Sequence, residues 1–218
     1  MLKADLHVHT CFSSDSISTP EKVVKRCLEI GIDCLAITDH NTISGALEVK
    51  RIAPFTVIVG EEMLTTSGEI IGLFLTEEIP RRLSPEETVA RIKAQGGLAC
   101  VPHPCDRFRP HSRLRRHALE KILPDIDLIE VFNSRTLLLR DSARAFNLAQ
   151  SHGLPGTVGS DAHVIKEIGR SFVELPEFSD AEQFKLALGQ GKPFRRRTSP
   201  LIHFINIRNR LVRRLGTG

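Results

Sequence analysis

Two histidines lie two residues apart near the start of the chain, and an aspartate follows them. The stretch ADLHVHTCFSSDS, residues 4–16, contains His7, His9 and Asp15. If residues 4–9 form a strand, both imidazoles leave the same face, because successive strand residues point to opposite faces. Imidazole nitrogens and carboxylate oxygens are ligands for divalent transition metals. The stretch therefore predicts part of a metal site.

Further histidines and acids lie at the carboxyl ends of other predicted strands. They are Asp39 and His40, Glu61 and Glu62, His103, Glu130 and Asn133, and Asp161 and His163. The carboxyl ends of parallel strands share one face of a barrel or sheet, and that face carries the active site. A lone histidine is most often structural, but six such strand ends predict a shared site. The candidates outnumber the four ligands of one tetrahedral ion, so we expect two or three zinc, manganese or iron ions.

Seven apolar runs are the elements that must position these side chains. The predicted strands are residues 4–9, 33–38, 56–62, 70–75, 97–102, 127–132 and 156–160. Helical patterns alternate with them, and two have clear starts, at Thr19 with Pro20 and at Ser84 with Pro85. Such alternation is typical of βα units around a parallel sheet or barrel.

Composition predicts one globular α/β domain. Hydrophobic residues make up 41% of the 218 residues and charged residues 26%, which is ordinary globular usage. No apolar run reaches the roughly 18–20 residues of a membrane helix, and no basic leader precedes the first strand, so we predict a cytoplasmic protein. The five cysteines form no CxxC pair, which favours reduced thiols in the core.

The last 27 residues are strongly basic. Residues 192–218 contain eight Lys or Arg and no acid, so the preceding part of the chain has a net charge of −4 within the total of +4. We predict a barrel at residues 1–191 and a basic extension at residues 192–218. The extension either packs on the barrel or contacts nucleic acid or an anionic membrane, and packing is favoured because the chain contains no Trp or Tyr for base stacking.

The motifs resemble those of the polymerase and histidinol phosphatase (PHP) family of metal-dependent phosphoesterases. The similar segments are DLHVHTCFSSDS, AITDHNT, VGEEM, VPHP, EVFNS and GSDAH, between residues 5 and 163. The resemblance implies a distorted seven-stranded β/α barrel, (β/α)7, with a trinuclear site at the strand carboxyl ends. It also implies the ligands: His7, His9, Glu62 and Asp161 for one metal, Glu62 and His103 for a second, and Asp15, His40 and His163 for a third.

Three acidic positions leave alternatives open. Many family members have a histidine in the fourth-strand region, where this chain has Glu69, either a ligand of the second metal or a solvated turn residue. Glu61 and Glu62 point to opposite faces of a strand, and we choose Glu62 as the ligand. Glu130 either orients a ligand or makes an ordinary buried hydrogen bond.

The expected reaction is hydrolysis of a phosphate ester of a small metabolite or nucleotide by a metal-activated water. Asp161 is the candidate for contacting that water, and His40 or His163 could protonate the leaving group if not bound to metal. Arginines at positions 107, 109 and 113 follow His103, and Arg107 and Arg135 are our choices for binding the phosphate.

Two other functions remain open on sequence grounds. One is a non-catalytic metal-binding module that contacts nucleic acid or a polymerase partner. The other is hydrolysis of a C–N bond, because amidohydrolases also place metals on β/α barrels and a fold does not fix a function.

Overall fold

The computed structural model describes residues 1–199, and these residues form one nine-stranded sheet with helices packed against it. All seven predicted strands are present. The strands are β1 (Leu2–Val8), β2 (Cys34–Ile37), β3 (Thr56–Thr65), β4 (Gly68–Leu73), β5 (Leu98–Val101), β6 (Leu128–Asn133), β7 (Gly156–Gly159), β8 (Phe172–Leu175) and β9 (Lys192–Phe194).

The sheet curls into a nearly closed barrel. Its strand order is β7-β6-β5-β4-β3-β2-β1-β8-β9. The carboxyl end of β1 also meets the chain after β7, where the amide of Asp161 donates to the carbonyl of His7 at 2.8 Å and the amide of His9 donates to the carbonyl of Ala162 at 2.9 Å. This seam brings the first and seventh strands side by side. The motif residues at the carboxyl ends of β1 and β7 therefore lie next to each other.

Six α-helices accompany the strands. They are α1 (Pro20–Ile30), α2 (Ser44–Ile52), α3 (Pro85–Ala94), α4 (Arg116–Ile122), α5 (Leu139–Ser151) and α6 (Ala181–Gly189). Ser84 caps α3 by accepting a hydrogen bond from the amide of Glu87, at the start that the sequence predicted. Helix α1 ends at Gly31, which has the left-handed conformation.

The topology differs from a regular (β/α)7 barrel in two places. Strands β3 and β4 form an antiparallel hairpin with no helix between them, and β4 is also antiparallel to β5. Strands β8 and β9, which the sequence did not predict, continue the sheet beyond β1 as antiparallel strands. Both are short, and β9 contains Pro193, so their patterns are weak. A seven-stranded count is therefore not confirmed.

Two apolar cores stabilise this arrangement. One lies between the sheet and the helices and includes Val23, Val49 and Ile92. The other core contains residues from each of β1 to β6, together with Phe184 of α6, and therefore lies inside the barrel. The interior is thus packed with side chains toward one end, and the metal-ligand candidates lie at the other end, where the parallel strands finish.

Two residues in the described part of the basic extension form hydrogen bonds with the loop between β6 and α5. The amide of Thr198 donates to the carbonyl of Ser134 at 2.7 Å, and the Arg197 guanidinium donates to the carbonyl of Leu137 at 2.9 Å. Residues 200–218, the rest of the predicted basic extension, lie outside the described residues. Within residues 1–199, no helix has the length and apolar character needed to cross a membrane.

Candidate metal centre

Nine predicted ligands converge at the carboxyl end of the barrel, and Glu62 lies at their centre. We call this set the ligand cluster: His7, His9, Asp15, His40, Glu62, Glu69, His103, Asp161 and His163. Glu62 Oε2 lies 3.4 Å from the Nε2 atoms of both His7 and His9 and 3.2 Å from His40 Nδ1. Its other oxygen, Oε1, lies 3.1 Å from His103 Nε2. One carboxylate thus faces four imidazoles with its two oxygens.

Asp161 forms a second centre at the seam between β1 and β7. Its Oδ1 lies 3.4 Å from His9 Nε2, 3.4 Å from His163 Nδ1 and 3.7 Å from His7 Nε2. This oxygen is buried and has no hydrogen-bond partner among the described residues. A buried carboxylate oxygen that faces three imidazoles without a hydrogen bond fits a metal ligand, because a buried acceptor is otherwise costly to leave unsatisfied.

Glu69 belongs to the ligand cluster and is not a solvated turn residue. Its Oε2 lies 3.7 Å from His103 Nε2, and its Oε1 lies 3.9 Å from His40 Nδ1. The β3–β4 hairpin produces this position by pairing Leu64 with Glu69, so that β4 carries the carboxylate back beside Glu62. Asp15 lies on the opposite side, with Oδ1 3.3 Å from His163 Nε2 and 3.7 Å from His40 Nε2.

The donor atoms form three groups compact enough to hold ions. Within each group the nitrogen and oxygen atoms lie within 4.8 Å of one another, and the groups are His7, His9 and Glu62; His40, Glu62 and Glu69; and His9, His40 and His163. Mixed imidazole and carboxylate donors suit zinc, manganese and iron. The residues present therefore fit a multinuclear site, and His9, His40 and Glu62 each belong to two groups.

Buried partners behind the cluster fix the imidazole orientations. Glu130 Oε1 lies 2.9 Å from His7 Nδ1, and its Oε2 accepts from the amide of His103 at 2.8 Å. Ser13 Oγ lies 3.1 Å from His9 Nδ1 and donates to Asp39 Oδ1 at 2.6 Å. These contacts leave the Nε2 atoms of His7 and His9 directed into the site, as partners of metal-binding histidines do. Glu130 thus orients His7, one of the predicted ligands.

Two members of the cluster have left-handed backbones. His103 has a φ of 32° and Asp161 a φ of 54°. Such values are uncommon for residues other than glycine and concentrate at functional sites. Close approach of β7 to β1 also requires Gly159, because a Cβ there would lie 2.4 Å from His7 Cβ. The backbone at the seam is therefore locally strained where it positions Asp161 and His7.

Electrostatic coupling between the members is strong. Burial alone would lower the pKa of His40, but Glu62 and Asp15 outweigh it and raise that pKa to about 10. Burial would raise the pKa of Asp161, but Arg109 and His7 hold it well below its usual value. Burial, reinforced by Glu62, raises the pKa of Glu69 to about 7. Glu62 and Glu69 are thus close enough for the charge of one to raise the pKa of the other.

Glu61 points away from the cluster, as the strand alternation predicted. Its Oε2 accepts from the amide of Ile79 at 2.9 Å, and the side chain is buried. Burial raises its pKa to about 7. Glu62 rather than Glu61 therefore faces the imidazoles.

The two arginines chosen from the sequence are not placed at the cluster. Arg135 is 3% exposed, and its guanidinium donates to both carboxylate oxygens of Glu167, at 2.9 and 2.7 Å. Arg107 donates to Asp141 on α5, at 3.0 Å. Each carboxylate partner lies too far along the chain to be predicted by a local pattern. Arg135 supports the loop after β7, since Glu167 also accepts from the amide of His163 at 3.0 Å.

Arg109 is the arginine that reaches the ligand cluster, and sequence reasoning did not choose it. Its Nη2 lies 2.6 Å from Asp161 Oδ2. Arg107 and Arg109 lie in the same loop. The conformation of that loop directs Arg107 toward Asp141 and Arg109 toward Asp161. No signal in the sequence alone distinguishes them.

Comparisons with known proteins agree with this geometry. The PHP domain family model matches residues 5–76, and the PHP-associated model matches residues 140–193. An uncharacterized protein of Methanocaldococcus jannaschii is 44% identical over 147 residues, which are 61% of this chain and 82% of the relative. A second uncharacterized protein of the same organism is 37% identical over 180 residues, covering 82% and 72% of the two chains.

Solved structures share the fold. A two-domain protein of Bacteroides vulgatus that contains a predicted PHP-like metal-dependent phosphoesterase has a TM-score of 0.70 and 21% identity, over 89% of this chain and 65% of that chain. The lesion-specific endonuclease Q of Pyrococcus furiosus has a TM-score of 0.59 and 15% identity, over 88% and 57%. On its motifs, its family match and its relatives, the chain belongs to the PHP family.

Proposed function

We propose that this chain is a phosphoesterase that hydrolyses a phosphate ester of a small metabolite or nucleotide at two or three bound zinc, manganese or iron ions. The observation that carries the proposal is Asp161 Oδ1, a buried oxygen that faces three imidazoles and has no hydrogen-bond partner within residues 1–199. The metals would supply a hydroxide nucleophile near neutral pH and neutralise phosphoryl oxygens.

The side chains divide the remaining work. Glu62 would help to hold the metals, since its two oxygens face different sets of imidazoles. Glu130 and Ser13 keep His7 and His9 oriented, and all four side chains are buried. Among the three predicted catalytic residues, His40 has the most exposed side chain, whereas Asp161 and His163 are buried. If it is not bound to metal, His40 would therefore be the one of the three to meet a leaving group.

A complete set of ligand-type side chains favours catalysis over a non-catalytic module. Glu69, the one departure from the family pattern, still offers an oxygen donor beside His103. The fold neighbours include a metal-dependent phosphoesterase domain and an endonuclease, and both reactions break phosphate esters. These relationships support phosphoester hydrolysis as the reaction and leave the substrate to experiment.

The test combines metal content with a substrate panel. Protein purified without chelators is analysed for bound metals and assayed against phosphate monoesters, phosphate diesters and an amide series. We expect more than one transition metal per chain and hydrolysis of phosphate esters. Asp161→Asn should lower activity at least about a hundredfold, whereas the exposed His111→Ala is the matched control and should not.

A metal-loaded chain that is inert toward all phosphate esters would contradict the proposal. Hydrolysis of amides alone would assign the site to C–N chemistry. Inert protein that binds DNA or RNA in a salt-sensitive manner, and loses this binding without residues 195–218, would favour the non-catalytic alternative.

A further inference from the structure

Three side chains at the ligand cluster are partly exposed to solvent. Those of His40, Arg109 and Glu69 are 22%, 18% and 11% exposed, whereas those of His7, His9, Asp161 and His163 are almost fully buried. A substrate that enters from solvent would therefore contact His40, Glu69 or Arg109 first. Of these three, only Arg109 carries a permanent positive charge.

The loop after β5 holds Arg109 over the cluster. Its Nη2 contacts Asp161 Oδ2 at 2.6 Å, and its Nε lies 3.5 Å from Asp106 Oδ2. Asp106 in turn accepts from the amide of Phe108 at 3.0 Å, which shapes the loop. Arginine has five N–H donors, so these two carboxylates leave donors for a ligand.

Arg109 is distinctive in its charge environment. Among the described residues, it is the one Lys or Arg side chain within 4.0 Å of a carboxylate of the ligand cluster. The guanidinium is cationic at any ordinary pH. A fixed cation beside the exposed part of the cluster favours the more highly charged of two related substrates.

We infer that Arg109 binds the phosphoryl group of the substrate and makes the site selective for phosphate monoesters over diesters. A monoester carries close to two negative charges at neutral pH, and a diester carries one. A monoester also keeps three terminal oxygens, one more than a diester, for contact with the planar guanidinium fork. The inference rests on the proposed function and names its substrate class.

The experiment compares Arg109→Ala and Arg109→Lys with Arg107→Ala. Arg107 is a matched control because it lies in the same loop, two residues away, and its guanidinium is paired with Asp141 instead of the cluster. Each protein is assayed with p-nitrophenyl phosphate and bis-p-nitrophenyl phosphate. Its metal content is measured, and its binding of inorganic phosphate is followed by calorimetry.

We expect Arg109→Ala to lower kcat/KM for the monoester by about tenfold to a hundredfold, the loss of one charge-assisted contact. Diester hydrolysis should fall much less, inorganic phosphate should bind at least about tenfold more weakly, and metal content should stay at the wild-type level. Arg109→Lys should restore part of the phosphate binding, because it keeps the charge without the fork. Arg107→Ala should match the wild type.

Two results would overturn the inference. Equal losses on both esters together with lost metal would show that Arg109 only positions Asp161, and unchanged selectivity and phosphate binding would show no contact with the substrate. If the wild type hydrolyses neither ester, the proposed function fails. The calorimetric comparison of wild type with Arg109→Ala then decides separately whether Arg109 binds phosphate.

Discussion

The two ends of the barrel differ in the partners of their buried acids. At the end where β6 begins, Asp127 contacts Lys93 at 2.5 and 2.6 Å and Lys185 at 3.2 Å, and it also accepts from the amide of Ala99. At the end where the parallel strands finish, several carboxylates crowd together and Arg109 is the one guanidinium beside them among the described residues.

This difference separates a structural charge from a functional one. The chain supplies its own cations for Asp127, so that end is closed by side chains that are already present. The ligand cluster instead places acids against imidazoles, which are neutral when they bind metal. Apart from the contact of Arg109 with Asp161, its acids face imidazoles and would be balanced by added cations. Changes there should therefore affect metal and activity, whereas changes at Asp127 should affect stability alone.

The largest expected effect is that of Glu62→Gln. The substitution preserves the shape of the side chain but removes the charge that faces four imidazoles. We therefore expect loss of bound metal and a fall in phosphoesterase activity of at least about a hundredfold. This effect should exceed that of changing a residue that only orients a metal ligand. Elemental analysis and steady-state kinetics measure both. Wild-type metal content in this variant would show that Glu62 does not hold the metals.

A smaller effect is expected from Glu130→Gln, which lies behind the cluster. The variant weakens the contact that orients His7 Nδ1, so metal affinity should fall by about tenfold to a hundredfold while the fold is kept. Competition with a metal-binding dye gives the affinity, and circular dichroism checks the fold. An affinity equal to that of the wild type would assign Glu130 to barrel stability only.

Asp127→Asn tests the opposite end of the barrel. We expect the free energy of unfolding of the metal-free protein to drop by about 1–3 kcal/mol, because two partly exposed lysines lose their carboxylate. Denaturant titration measures the change. Metal content and kcat/KM should equal those of the wild type, and a loss of metal would break the separation between the two ends.

The smallest effect is expected from Arg107→Ala. Burial would raise the pKa of Asp141, but Arg107 outweighs it and lowers that pKa. The stabilisation is therefore present at neutral pH and lost as pH falls through the lowered pKa. We expect at most about 1 kcal/mol at pH 7 and a smaller difference from wild type in acid. A difference that grows in acid would contradict the assigned pair.

Local patterns predicted the strands and the positions of the ligands within them. His7 and His9 follow from strand alternation, and Glu62 rather than Glu61 follows from the same rule. The Glu69 position did not follow, because it depends on the antiparallel β3–β4 hairpin, whose pairing is a long-range property of the sheet. The partners of Arg107, Arg109 and Arg135 depend on loop conformations, which the sequence pattern does not specify.

The unpredicted strands have a related cause. Strand β8 pairs with the amino-terminal half of β1, and β9 pairs with β8. The pairing of β8 therefore depends on a strand at the other end of the chain. Each has only three or four residues, too few for a clear alternation. The predicted boundary at residue 191 and the role of the basic extension stay predictions.

Anomalous X-ray diffraction from crystals grown with manganese or zinc tests the central claim most directly. We predict at least two anomalous peaks within coordination distance of the ligand cluster, one of them shared through Glu62. Metal-loaded crystals with no anomalous peak beside Glu62 or Asp161 would contradict the account.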